Sequence, residues 1–197
     1  MALHDWDKKV AIGRCTALGS HTDTIKKLIG ESCVHVREID GDDPLNAKGI
    51  DFIATLRHGA ELNIDTKGRE AGCSKFWKFY GEPPDLFEPE LALEKWSVVP
   101  ENGRPGKTGW TLDESKLTDY TLHVFDPMDS RQVFLLPFQL LRMAFQRHIT
   151  AWWARYDHKS QETIRGSRNW RSECVFVPAY IVLGAIMSEM RPGIQRG

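Results

Sequence analysis

The chain lacks several features that would place it in a familiar class at once. No stretch approaches the roughly 20 consecutive apolar residues that a membrane-spanning helix needs. The start of the sequence does not have the basic and then apolar order of a signal peptide. The four cysteines lie far apart and include no CxxC pair, which argues against a zinc ribbon and against a disulfide framework. We therefore expect a cytoplasmic protein that does not enter a membrane.

Other motifs are missing or incomplete. The seven histidines form neither an HExxH motif nor another close metal-binding spacing. Gly106-Lys107-Thr108 invites comparison with a phosphate-binding loop, but Glu101 occupies the place of the first glycine, so we reject ATP binding. The formal net charge of −1 argues against a protein that coats nucleic acid indiscriminately.

What remains is the composition of an ordinary globular protein, with 41% hydrophobic and 27% charged residues. A length of 197 residues suits one domain with a substantial core. We predict a single domain over 1–197, with its core over about 20–125. The C-terminal part, 132–190, is predicted to contain a long helix, a basic loop and a strand followed by a helix.

Local patterns predict a mixed α/β protein. Apolar spacing of three and four residues predicts helices at 22–31 and 138–156, and Pro178 can start a third. Short strands are predicted at 34–39, 93–99, 120–125 and 174–177, and the aperiodic residues 157–171 are predicted to form a loop. This order of elements is typical of a mixed central β-sheet flanked by helices.

The most informative segment runs from Lys48 to Lys67 and is predicted to form two antiparallel strands around a tight turn. Asp51 opens the first strand, whereas Asp65 and Lys67 close the second. Because side chains alternate along a strand, Asp65 and Lys67 project to the same side, and Asp51 can approach them across about 4.8 Å. Two acids beside a cation are a poor structural device but a good site for Mg²⁺.

This arrangement resembles the PD-(D/E)XK nuclease superfamily, which includes restriction enzymes and repair nucleases. Asp51 matches the first acid, Asp65 the second and Lys67 the lysine. Thr66 takes the variable place between them. Two positions depart from the pattern: Ile50 stands where proline is usual, and the second acid is Asp rather than the commoner Glu.

The resemblance implies a restriction-endonuclease-like core and a bound Mg²⁺ that Mn²⁺ can replace. Asp51, Asp65 and the backbone carbonyl of Thr66 are the implied ligands. The ion would activate a water molecule and neutralise charge on the reacting phosphate. Lys67 would orient that water or stabilise the developing negative charge.

Further residues are candidates for the same site. Glu94 and Glu31 are candidate additional acids, and for both the alternative is a plain surface residue. Glu61 is a third candidate, because alternation places it on the face of Asp65. Lys116 is a candidate phosphate contact, and the alternative is a structural turn. Basic residues crowd 142–171, and the predicted loop contributes three candidates to follow a nucleic-acid backbone: Arg165, Arg168 and Arg171.

These observations predict a Mg²⁺-dependent nuclease that cleaves DNA in a phage, plasmid, repair or defence role. One alternative is a catalytically inactive protein that keeps the fold to bind nucleic acid or a protein partner. Another is an α/β interaction protein in which the motif arises by chance. A homodimer would suit a nuclease that cuts both strands.

Overall fold

The structure is a computed structural model that describes residues 21–69, 89–101, 103–125, 132–165 and 168–190. Its helices are α1 (His21–Ile29), α2 (Pro44–Ala47), α3 (Phe138–Arg155) and α4 (Ala179–Glu189). Its strands are β1 (Cys33–Glu38), β2 (Phe52–Leu56), β3 (Glu61–Arg69), β4 (Glu90–Val98), β5 (Lys107–Thr108), β6 (Tyr120–Phe125), β7 (Gln132–Pro137), β8 (His158–Arg165) and β9 (Arg168–Pro178). The predicted mixed α/β class is confirmed at this level.

The chain divides into two compact units, each with its own sheet. The motif unit comprises the described residues of Lys9–Phe87 and Ser115–Phe138, and the hairpin unit comprises those of Glu88–Glu114 and Gln139–Gly197. Part of the segment predicted as the core therefore belongs to the hairpin unit. The single domain over 1–197 stays a prediction.

The motif unit is built on a five-stranded mixed sheet with the order β1-β2-β3-β6-β7. Neighbouring strands are antiparallel except for β3 and β6, which run parallel. The first three strands form a meander, and Gly59 allows its second turn because its φ of 88° lies in the left-handed region. The hairpin predicted from Lys48 to Lys67 is thus present as β2 and β3.

Alternation along these strands separates an apolar face from a polar one. Helix α1 places Ile25 in a core that includes Ile64 of β3 and Leu122 of β6. Ile64 pairs with Phe52 on one side and with Tyr120 on the other, so even-numbered β3 residues point toward the face that α1 covers. The odd-numbered residues of β3 therefore project from the opposite face.

The hairpin unit contains a four-stranded antiparallel sheet with the order β5-β4-β9-β8. The prediction of a loop over 157–171 is wrong, because β8 and β9 pair continuously from His158 opposite Val175 to Arg165 opposite Arg168. The residues of 157–171 are mostly polar, so this part of the sequence shows no hydrophobic alternation. Backbone pairing, which a hydrophobic pattern does not report, holds this hairpin.

The long amphipathic helix predicted from Phe138 is α3, and it buries Leu141, Phe145 and Trp152 along one stripe. The helix that follows β9 is α4, which begins after Pro178 as predicted. None of the helices in the described residues combines the length and the hydrophobicity that a bilayer crossing requires.

Candidate functional site

The structure brings the three motif residues together at one end of the β2–β3 pair. Asp51 immediately precedes β2, and its backbone N–H donates to the carbonyl of Ile64 at 2.9 Å. The Asp51 carbonyl accepts the N–H of Ile39 at 2.7 Å, so Asp51 lies just outside the regular β2–β3 pairing, which starts with Phe52 opposite Ile64. Its carboxyl group is close enough to that of Asp65 for the two to interact electrostatically.

Lys67 lies on the same face of β3 as Asp65, and its side chain binds the Asp65 carboxylate. Its Nζ atom donates to Oδ1 of Asp65 at 2.6 Å. The Asp65 side chain is only 7% exposed, whereas that of Lys67 is 29% exposed. The Lys67 side chain therefore extends from the buried Asp65 carboxylate to the protein surface.

Asp51 is fixed by donors on both of its oxygens. Oδ2 accepts the backbone N–H of Thr66 and the hydroxyl of Thr66, each at 2.7 Å. Oδ1 accepts Nδ2 of Asn46 at 2.8 Å. These three donors fix the orientation of the Asp51 carboxylate.

The electrostatics of Asp65 reflect its surroundings. Burial raises the pKa of the Asp65 carboxyl above its ordinary value of 3.8, and the ion pair with Lys67 opposes that rise. The neighbouring Asp51 carboxyl adds to the rise through its charge and through a hydrogen bond between the two side chains. Two acids this close compete for one proton, and a bound cation relieves the same repulsion.

The donor set fits a hard divalent cation. The N–H and C=O of one strand residue point toward the same neighbouring strand, so the Thr66 carbonyl points to the side on which its N–H meets Asp51. Two carboxylates and a carbonyl suit Mg²⁺, which keeps several waters and takes few protein ligands. The described residues contain no group of three or more His, Cys, Asp or Glu that could hold a metal, so the set rests on Asp51, Asp65 and Thr66.

Two buried polar residues of β6, which the sequence analysis did not single out, extend this face. In the parallel register, Thr121 lies opposite Asp65 and His123 lies opposite Lys67. Both are buried, and His123 Nε2 lies 3.2 Å from Thr121 Oγ1. The alternation within 120–125 is the sequence signal for them, but only the pairing of β6 with β3 connects them to the motif.

Two of the candidate acids lie at the turn between β2 and β3, which is the end of that strand pair opposite Asp51. Glu61 pairs with Thr55 beside the turn, and it is exposed. The carbonyl of Glu31 accepts Nη2 of Arg57 at 3.1 Å, which places it near the same turn. The five residues of β2 separate that turn from Asp51 by roughly 17 Å. The structure does not bring Glu61 or Glu31 to the two motif acids.

Glu94 and Lys116 hold chain segments in place. Glu94 belongs to the hairpin unit, where its Oε2 accepts the hydroxyl of Ser97 at 2.7 Å and the N–H of Trp110 at 2.9 Å. Lys116 belongs to the motif unit, and its Nζ donates to the carbonyl of Ala47 at 3.3 Å. Each contact gives the residue a structural role in its own unit.

The candidate basic residues all lie on the β8–β9 hairpin. Arg165 ends β8 and Arg168 begins β9, directly opposite one another. Arg171 is half-exposed and forms a 2.6 Å ion pair with Glu101. All three residues belong to the hairpin unit, whereas Asp51 and the rest of the motif belong to the other unit.

Comparisons with known proteins leave the geometry as the only guide to function. No protein-family model, no curated protein and no solved structure matches the chain. The case for a site therefore rests on the contacts among Asp51, Asp65, Thr66 and Lys67.

Proposed function

We propose that this protein is a Mg²⁺-dependent nuclease that hydrolyses phosphodiester bonds in DNA, with the motif unit as its restriction-endonuclease-like core. The observation that carries the proposal is the proximity of the Asp51 and Asp65 carboxyl groups, with the Lys67 ammonium group on Asp65 at 2.6 Å. A fold does not need this arrangement. Burying a carboxylate beside a second carboxylate costs stability, and that cost is typical of functional sites.

Each residue has a distinct role in the proposed reaction. Asp51, Asp65 and the Thr66 carbonyl would hold Mg²⁺, which when bound would supply an activated water and neutralise charge on the phosphate. The ammonium group of Lys67 donates to Asp65 at 2.6 Å. Its partial exposure lets the ammonium group also orient the water or meet a phosphate oxygen. Oxygen donors favour Mg²⁺ or Mn²⁺ over zinc.

The test is cleavage of plasmid and linear duplex DNA by the full chain, with Mg²⁺, with Mn²⁺ and with a chelator. We expect cleavage that requires the metal and that Asp51→Asn and Asp65→Asn abolish. Asp119→Asn is the matched control, because the Asp119 carboxylate belongs to the same unit but accepts the backbone N–H of Asn63 at 2.8 Å. This variant should cleave as the unmodified protein does.

Two results would overturn the proposal. Cleavage that survives both substitutions would assign the activity to other residues or to a contaminant. Metal-independent binding of DNA without cleavage, at every metal concentration tried, would favour the inactive nucleic-acid-binding alternative.

A further inference from the structure

The short helix α2 owes its position to its own sequence. The side chain of Asp43 caps it by accepting the N–H of Leu45 at 2.8 Å, and Pro44 occupies its first turn. Asn46 follows on this turn. The chain then reverses through Gly49, whose φ of +78° is in the left-handed region.

The segment that enters β6 holds this turn against the motif sheet. The N–H of Leu117 donates to the Lys48 carbonyl at 2.9 Å, and the Thr118 hydroxyl donates to the Gly49 carbonyl at 2.6 Å. A Cβ atom at Gly49 would lie 2.7 Å from both Lys116 Cδ and Thr118 Oγ1. The backbone at Asn46 is therefore fixed by packing as well as by its cap.

From this fixed turn, Asn46 reaches the first motif acid. Its Nδ2 donates to Oδ1 of Asp51 at 2.8 Å, while Thr66 supplies both donors to Oδ2. The carboxylate is thereby held from two directions, by α2 on one side and by β3 on the other. Rotation of the Asp51 carboxyl group would break a bond on one side or the other.

We propose that Asn46 is a positioning residue that orients Asp51 for a divalent cation, an inference that rests on the proposed metal site. Asn46 acts through Asp51 and does not itself bind the metal. Removing a residue that hydrogen-bonds to a metal ligand typically weakens metal binding by about 10- to 100-fold. The metal must then also fix the orientation of that ligand, which lowers the net free energy of binding.

The test is a titration of the full chain with Mn²⁺, followed by calorimetry or by the electron paramagnetic resonance signal of free Mn²⁺. We expect Asn46→Ala to bind Mn²⁺ about 10- to 100-fold more weakly than the unmodified chain. Alanine preserves the helical turn. Asn46→Gln retains the amide donor, so it should recover part of the affinity.

The matched control is Asn63→Ala. The Asn63 side chain also donates an amide hydrogen bond in the motif unit, at 3.0 Å, but its acceptor is the Leu117 carbonyl. This variant should bind Mn²⁺ as the unmodified chain does. Circular dichroism of each metal-free variant separates a loss of affinity from a loss of fold. If Asn46→Ala does not fold, the Mn²⁺ affinity of Asn46→Gln is compared with that of the unmodified chain instead.

The outcomes separate this inference from the proposed function. Equal Mn²⁺ affinity in the unmodified chain and in Asn46→Ala would overturn the role of Asn46 and leave the metal site standing. A loss as large in Asn63→Ala would also overturn it, because the effect would then be a general one. Failure of the unmodified chain to bind Mn²⁺ would overturn the proposed site itself.

Discussion

The two units use their charged side chains in different ways. In the hairpin unit two acids form structural contacts: Glu94 accepts the N–H of Trp110, and Glu189 pairs with Arg147 at 3.1 Å between α4 and α3. Removing any of these groups would loosen a turn or a helix contact. Both contacts lie within the hairpin unit.

In the motif unit the buried acid of the motif destabilises the fold. Asp65 is buried beside Asp51, and both burial and the second acid raise its pKa. Lys67 compensates only in part, since the pKa of Asp65 stays raised despite the ion pair. Residues that break a local rule of stability without helping the fold are expected at functional sites. This contrast separates the motif acids from Glu94.

The largest expected effect is on catalysis. Asp51→Asn or Asp65→Asn should lower Mg²⁺-dependent DNA cleavage by at least about 100-fold, because each removes a charged metal ligand. Glu94→Gln should leave cleavage unchanged and lower the free energy of unfolding by about 1–3 kcal/mol through the turn it supports. Cleavage rates and chemical denaturation of the same preparations check both. An equal loss of activity in Glu94→Gln would erase the contrast between the units.

The second prediction concerns the ion pair. Lys67→Met leaves the buried Asp65 carboxylate without its ammonium partner and should cost about 1–3 kcal/mol of the free energy of unfolding at pH 7. The double variant Asp65→Asn/Lys67→Met should recover most of that loss, since it no longer buries a lone charge. Urea denaturation measures all three. A double variant no more stable than Lys67→Met would show that burial of the charge is not the cause.

The third prediction is that Asp65→Asn stabilises the fold at neutral pH by about 1 kcal/mol. The folded pKa of Asp65 lies above the unfolded value of 3.8, so the folded state binds more protons between these two values. Stability of the unmodified chain is therefore lost as pH rises through that window. Thermal unfolding from acid to neutral pH should show the advantage of Asp65→Asn growing with pH. A constant difference across this range would contradict the raised pKa.

The smallest expected stability effect lies on β6. Thr121→Val preserves shape but removes the hydroxyl that contacts His123 at 3.2 Å, so it should destabilise the fold by about 1 kcal/mol. Thr111 offers the comparison in the hairpin unit, because its hydroxyl accepts the N–H of Glu94 at 2.9 Å. Thr111→Val should cost a similar amount of stability. Only Thr121→Val should alter the Mg²⁺ dependence of cleavage.

The sequence predicted the part of the site that depends on local periodicity. Asp65 and Lys67 share a face because a strand alternates with a period of two, and the hairpin turn brings Asp51 toward them. Both features depend only on residues that are close together in the sequence. Hydrophobic spacing likewise predicted α3 from Phe138 onward.

The rest depended on contacts between distant segments. His123 joins the motif face only through the parallel pairing of β6 with β3, and no local pattern fixes that register. Asn46 reaches Asp51 from a loop helix that the segment before β6 holds in place. The pairing over 158–171 escaped prediction for another reason, since these mostly polar residues show no hydrophobic alternation.

The most direct test of the metal site is anomalous X-ray scattering from crystals of the full chain soaked in Mn²⁺. We predict a peak between the carboxylates of Asp51 and Asp65, within coordination distance of the Thr66 carbonyl. The same soak of Asp65→Asn crystals should show no peak there. A clear map without density between Asp51 and Asp65 at saturating Mn²⁺, or an undiminished peak in the variant, would contradict the account.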